Sequence, residues 1–420
     1  MELVVERCAG LDVHKDLVVA CVRYPGPDGV RRTEIASFSA FTADLLALRD
    51  WLCSYNVTRV AMEATGVYWK PIFYVLEDAM ECWLLNARHM RNVPGRKTDI
   101  GDAEWICQLT EHGLVRPSFV APKEIRDLRE FTRYRRTLAE ERTREAQRLD
   151  KVLQDAGVKL SSVASDVLGA SSRAMLAALV EGTRDPAALA DLAKGKLRSK
   201  LPALRTALEG RFGPRHAVLV SEILSHLDYL DEAIGRMTSA IEEAIAPFAE
   251  ARDRLCSIPG IDRRIAEAVI GEIGVDMGRF PTAAHLASWA GMCPGQHESA
   301  GKHKRGTARH GDSWLQRHLA VAAMAAVCSK DTYLRAQYRR LSPRRGKQRA
   351  RKAVGHSILV ACWHVLASDD ATYLDLGPDW FDRRNAPAVR ARRRLSELRA
   401  LGCQLYVNDD GTTTVVLPAA

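Results

Sequence analysis

The hydrophobic pattern of the first hundred residues or so changes period in a fixed order, and that order limits the folds open to the chain. Leu3 to Asp12, Asp16 to Arg23 and Arg32 to Ser39 each read as a strand, with Tyr24-Pro25-Gly26-Pro27-Asp28-Gly29 as the turn between the last two. The spacing then becomes helical over about Thr42–Tyr55 and returns to a buried strand over Val57–Met62. A helix (about Val67–Ala79), a strand (Cys82–Asn86) and a helix entered at about Thr98 follow. Three strands in a meander, then αβαβα, predict one mixed sheet with helices packed on it.

Acids mark the ends of these segments. Asp12 closes the first apolar run, Glu63 closes the run from Val57, and Asp99 and Asp102 stand three apart at the start of a helix. Helical spacing puts both aspartates on one face, and neighbouring strands bring their ends together, so the four carboxylates suit a hard cation. The element order is that of a ribonuclease-H-like, RuvC-like domain, where acids gather at the ends of the first and fourth strands and on the last helix. Such a quartet has room for two Mg²⁺ ions about 4 Å apart, which polarise a phosphodiester and steady its attacking and leaving oxygens. Any one of these acids alone reads as an ordinary solvated side chain or helix cap.

The rest of the chain is mainly helical, giving an α/β domain followed by an all-α region. We expect a RuvC-like metal-binding domain over 1–121 and a long antiparallel coiled coil over 122–250 with a helical insert at 157–214. A compact globular domain over 251–368 and a basic tail over 369–420 complete it. Val220, Ile223, Leu227, Leu230, Ile234, Met237, Ile241 and Ala244 alternate steps of three and four, a seam suited to assembly. The earlier long helix is less regular, with Arg135 and Arg142 where a strict heptad wants apolar residues. The tail reads as an Arg-rich helix and a β-hairpin turning at Asn408-Asp409-Asp410-Gly411.

With 61 Lys+Arg against 52 Asp+Glu, the net charge of +9 suits a polyanionic partner. The ten cysteines include no C-x-x-C pair and read as reduced thiols. The chain starts with acids where a signal peptide has cations, and its most apolar run, Leu319 to Cys328, is too short for a bilayer. A soluble, cytoplasmic protein with no membrane partner is expected.

Three segments point to nucleic acid. Ser299 lies beside Gly301 in a basic loop with Lys302, Lys304, Arg305 and Arg309, where the serine either attacks phosphorus or only donates a hydrogen bond to a gripped phosphate. Ser313 is a second candidate serine. The turn Ile258-Pro259-Gly260-Ile261, followed by a helix of small and branched residues, resembles a helix-hairpin-helix, whose turn amides hold DNA phosphates. Arg339 to Lys352 carries eight cations and no acid, with Arg344, Arg345, Lys347 and Arg349 at its centre.

Taken together, the chain resembles the DEDD-type serine transposases of bacterial insertion sequences, relatives of the pilin-gene DNA invertase known as bridge-RNA-guided recombinases. The motifs around Asp12, Glu63, Asp99/Asp102, Ile258–Ile261 and Glu298–Lys302 follow that family's order over about residues 8–365. The resemblance implies that Asp12, Glu63, Asp99 and Asp102 bind Mg²⁺ and that Ser299 is the nucleophile of a phosphoserine-DNA intermediate. It also implies donor and target double-stranded DNA as substrates, a structured guide RNA as partner, and a homodimer assembling into a homotetramer. Two rivals stay open: a RuvC-like junction resolvase or structure-specific nuclease that uses water, and a non-catalytic coiled-coil nucleic-acid-binding protein.

Overall fold

The computed structural model describes residues 3–64, 66–86, 98–295, 298–299, 301–303, 310–384, 387–407 and 413–416. The chain divides into two compact units, 1–120 and 121–420.

The first unit is a five-stranded sheet flanked by helices. β1 (Cys8–Val13), β2 (Leu17–Pro25) and β3 (Arg31–Ser39) form an antiparallel meander. After α1 (Thr42–Ser54), β4 (Arg59–Glu63) adds parallel to β1; after α2 (Trp69–Leu76), β5 (Glu81–Leu85) adds parallel to β4. The resulting order is β3-β2-β1-β4-β5. The helix α3 (Asp99–Glu111) completes the domain.

Strand alternation assigns the two faces. Ala9, Leu11 and Val13 of β1 pack with Val60 and Met62 of β4 against Leu45, Leu48 and Leu52 of α1 and Ile72 and Leu76 of α2. The opposite parity, Cys8 of β1 with Val19 and Cys21 of β2, meets Ala103 and Cys107 of α3, while Ala61 of β4 meets Ile106. β3 is the polar edge, where Arg31, Arg32 and Glu34 discourage further strand pairing. Arg23 and Arg31 both pair with the buried carboxylate of Glu111, tying β2 and β3 to the far end of α3.

The second unit is largely helical. α4 (Lys123–Asp155) is followed by the short helices α5 (Ala170–Val180), α6 (Pro186–Asp191) and α7 (Leu201–Leu208), then by α8 (Pro214–Ile245). α4 and α8 run antiparallel: Arg142 pairs with Asp231, Glu145 lies 3.4 Å from His226, and Asp155 pairs with Arg215 at 2.7 Å. Leu138 of α4 packs on Leu230 and Ala233 of α8, and nearer the insert Leu149 and Leu153 join Val220, Ile223 and Leu227 in one core with α5 to α7.

Within the chain, Val220, Leu227, Leu230 and Ile241 of the α8 seam are buried, while Ile234, Met237 and Ala244 are half-buried. The arginines that broke the α4 pattern are explained. Arg135, almost fully buried, pairs with Glu267 at 2.8 Å, and Arg142 reaches Asp231 across the helix pair.

A helical globule follows: α9 (Ala249–Leu255), α10 (Arg263–Ile273), α11 (Ala283–Trp289), the two-residue strands β6 (Glu298–Ser299) and β7 (Lys302–His303), and α12 (Ser313–Cys328). Next come α13 (Tyr333–Arg345), α14 (Lys347–Leu366), α15 (Trp380–Arg383), α16 (Pro387–Ala400) and the hairpin β8 (Gln404–Val407) with β9 (Thr413–Val416). The expected hairpin turn at 408–411 lies outside the described residues. α10 docks on α4, where Arg129 donates to the carbonyls of Gly271 and Glu272 and Arg133 forms a fork with the Glu272 carboxylate at 2.8 and 2.7 Å. Among the described residues no helix is long and apolar enough to cross a membrane.

Candidate metal centre

Asp12 is two residues beyond Gly10 and Glu63 two beyond Ala61, so both belong to the sheet face that α3 covers. β1 and β4 are parallel neighbours with Leu11 opposite Met62, which sets the two strand ends side by side. α3 begins at the same edge: Thr98 caps it by accepting from the Gly101 amide, and Asp99 and Asp102 occupy its first turn. Acids there also suit the positive end of the helix.

Gly10 sets the closeness of that approach. A Cβ at this position would lie 2.4 Å from both the Ala103 carbonyl oxygen and the Cys107 nitrogen, so only hydrogen lets the α3 backbone rest on β1.

The result is a cluster of Asp12, His14 and Asp99 whose ligand atoms all lie within 4.8 Å of one another. His14 Nε2 is 3.0 Å from Asp12 Oδ2 and 3.6 Å from Asp99 Oδ1, bridging the two carboxylates. The Asp12 side chain is only 13 % exposed whereas that of Asp99 is 56 % exposed, so the site has an anchored wall and a solvent-facing wall. Burial pushes the Asp12 carboxyl above its ordinary range; His14 opposes the shift, and the charges of Asp99 and Asp102 reinforce it. Concentrated negative charge with one imidazole between is a place where a divalent cation lowers the free energy.

The donor set fits such an ion. Carboxylate oxygens at a half-open edge suit Mg²⁺ or Mn²⁺, while the imidazole nitrogen suits Mn²⁺ better than Mg²⁺. The carboxylate pattern of the sequence leaves His14 out. Its i+2 relation to Asp12 is the signal that could have found it, since alternate residues at a strand end share a side. Asp102 lies one turn along α3 from Asp99, and Glu63 ends β4, half-buried.

The remaining candidates lie in the second unit. Ser299 and Lys302 face each other in register across β6 and β7, joined through Gly301 in the left-handed region at φ +74°. Lys304, Arg305 and Arg309 lie outside the described residues. Ser313 is the exposed first residue of α12, whose cap is Asp312.

Pro259 and Gly260 join α9 to α10. Gly260 has φ +93°, and a Cβ there would sit 2.2 Å from the Ala322 carbonyl oxygen, so this glycine serves packing against α12. Asp262 caps α10 by accepting from the Ile265 amide, placing a negative charge at that helix end. Arg344 and Arg345 end α13, and Lys347 and Arg349 start α14 across Gly346, all exposed on one helical corner.

Comparison with known proteins matches two stretches of the chain. Residues 9–157 match the DEDD-type transposase model for IS110, and residues 252–339 match the model described as "Transposase IS116/IS110/IS902 family". Two similar proteins come from Streptomyces coelicolor strain A3(2). The "Mini-circle putative transposase for IS117" is 34% identical over 110 residues, 26% of this chain and 25% of that protein. The "Insertion element IS110 uncharacterized 43.6 kDa protein" is 34% identical over 99 residues, 23% of this chain and 24% of that one. The chain thus spans about a quarter of the length of each of these relatives. Two transposase models of one family, matching residues 9–157 and 252–339 and so more than half of the chain between them, lead to one conclusion: the chain belongs to the IS110/IS116/IS902 family of DEDD-type bacterial transposases.

Proposed function

We propose that this protein is a divalent-metal-dependent enzyme that cleaves DNA phosphodiesters during movement of an insertion sequence. The observation that carries this is the meeting of Asp12, His14 and Asp99 at the edge where β4 delivers Glu63 and α3 delivers Asp102. In this reading Asp12, Glu63, Asp99 and Asp102 hold one or two Mg²⁺ ions. The bound ions supply Lewis-acid polarisation of the phosphate and charge for the leaving oxygen. The protein's own part is to fix the carboxylates: β1 and β4 hold two rigidly, the first turn of α3 holds the others, and His14 orients Asp12 by hydrogen bonding.

This centre suffices for attack by water. A second reading makes Ser299 the attacking group, favoured by its place on a short ribbon opposite Lys302, where a cation stabilises charge developing at phosphorus. Serine attack keeps the ester energy in a phosphoseryl-DNA bond, so a free 3′ hydroxyl can reverse the step. The guide RNA, the two DNA partners and the homotetramer implied by the family resemblance belong to this second reading, as does a coiled-coil role for residues 122–250. Pro259, Gly260, Lys302, Lys304, Arg305, Arg309, Arg344, Arg345, Lys347 and Arg349 are its proposed nucleic-acid contacts.

Cleavage of a labelled duplex carrying the element's end, with Mg²⁺ or Mn²⁺, tests both readings. Asp12→Asn is expected to lower the rate by about 100-fold or more with the fold unchanged; full activity of this variant refutes the metal centre. Ser299→Ala then separates the nucleophiles. Continued cutting with no covalent protein–DNA adduct assigns water, and loss of cutting together with loss of an adduct formed by the wild type assigns the serine.

A further inference from the structure

Where the basic tract 339–352 begins, the first turns of α13 and the segment 378–382 enclose a cleft of about 470 Å³. Lys330, Arg335, Arg339 and Arg340 line it, with Asp331 and Asp382 as the only acids among its lining residues. Arg335 and Arg339 are one helical turn apart, and Arg340 continues the cationic side toward Arg344. From Arg335 to Arg344 this stripe runs about 13 Å. α13 contains no acid at all, and among the described residues none of Arg335, Arg339 and Arg340 stands in a salt bridge. Like charges a turn apart repel and weaken a helix, so the fold gains nothing from this arrangement by itself.

Arg340 is also held in place. The Arg340 guanidinium lies 4.7 Å over the Phe381 ring, and Phe381 stacks on Tyr333 at 5.1 Å with an interplanar angle of 21°. Stacking fixes the plane of the guanidinium and leaves its in-plane N–H groups to donate. Arg335 is half-buried, so its charge is partly desolvated. Planar donors, spaced cations and a shallow cleft match the oxygens of a phosphodiester backbone, which guanidinium groups grip in pairs.

We propose that this cleft binds the phosphodiester backbone of a nucleic-acid strand through Arg335, Arg339 and Arg340, with Phe381 as the platform that orders Arg340. The contact is independent of base sequence, because the groups on offer recognise phosphate. The inference rests on the reading of the chain as a nucleic-acid-processing enzyme.

The test is fluorescence anisotropy of the full chain with a labelled duplex DNA and a labelled single-stranded RNA, each titrated over a range of salt. For the double variant Arg335→Gln/Arg339→Gln, affinity for at least one strand falls about tenfold. The slope of log affinity against log salt becomes shallower by about one to two, the signature of one or two lost phosphate contacts. The strand that loses more identifies the natural source of the phosphate. Arg335→Lys/Arg339→Lys restores the charge and is expected to recover the slope.

Gln variants with unchanged affinity and slope for both strands overturn the proposal, and metal-dependent cutting by the same variants would leave the proposed function standing. Lys variants as impaired as the Gln variants overturn it too, since the arginines would then serve the fold alone. A wild-type chain that binds neither strand refutes this proposal and the nucleic-acid reading together.

Discussion

Replacing Gly10 with alanine probes the contact on which the metal centre depends. The added Cβ would meet the Ala103 carbonyl oxygen and Cys107 nitrogen at 2.4 Å and the Cys107 Cα at 2.9 Å, all of them backbone atoms that no rotamer change can move. Restoring ordinary van der Waals contact requires α3 to retreat by about 1 Å, an overpacking that costs about 1–3 kcal/mol. The same retreat carries Asp99 and Asp102 away from Asp12, whereas ligand distances at a metal site tolerate only about 0.2 Å. Gly10→Ala is therefore expected to lose divalent-ion affinity out of proportion to its loss of stability. The assay is calorimetric titration with Mn²⁺ beside thermal unfolding of the same samples. Gly29→Ala is the control, since Gly29 has φ +77° with nothing within 4 Å of an added Cβ. It should cost about 1–2 kcal/mol of backbone strain with Mn²⁺ affinity unchanged. If Gly10→Ala binds Mn²⁺ like the wild type, the seating of α3 on β1 does not position the acids and the reasoning fails.

Other perturbations test the second unit. Burial, with repulsion from Arg136 and Arg135, depresses the His318 imidazole from 6.5 to about 4. Its folded pKa lies below its unfolded one, so its contribution to stability is complete above pH 6.5 and is lost as pH falls toward 4. The loss amounts to about 2 kcal/mol after allowance for partial exposure; His318→Asn should flatten this part of the pH–stability curve relative to wild type. Arg135→Met leaves the buried Glu267 carboxylate with Arg263, which is 3.4 Å away and mostly exposed, and should cost about 3 kcal/mol in urea unfolding. Leu227→Glu puts a charge into a core position with no exposure and is expected to cost about 4 kcal/mol or more, seen as loss of helical signal. A folded Leu227→Glu chain whose only change is a lower mass in light scattering would give α8 the role of an assembly surface.

Much of the first unit was legible because its signals are local. Each expected element between Leu3 and Thr98 has an observed counterpart, with ends shifted by a few residues; β1, for instance, starts at Cys8 because the Leu3–Arg7 stretch lies ahead of the ladder. Alternation in β1 and β4 and the i,i+3 spacing of Asp99 and Asp102 follow from backbone geometry alone. His14 escaped because its role depends on where Asp99 lands, and that depends on how closely α3 approaches β1. In the second unit the three-four spacing of α8 identified the buried face correctly but not what covers it, since an apolar stripe carries no record of whether its partner is the same chain or another copy. Arg135 and Arg142 looked like defects in a seam because their carboxylate partners, Glu267 and Asp231, lie more than eighty residues away.

By itself the sequence determined the element order of the first unit, the faces of its strands, the apolar face of α8, and the supply of acids at the ends of β1 and β4 and at the start of α3. Those properties arise from periodicity and from turn and cap chemistry, which act over a few residues. Tertiary structure decided which of these groups meet: the hydrogen at Gly10 lets a helix backbone reach a strand backbone, His14 bridges Asp12 and Asp99, and α4 with the insert fills the α8 seam. These are distances between segments far apart in the chain, set by packing once the elements have already formed.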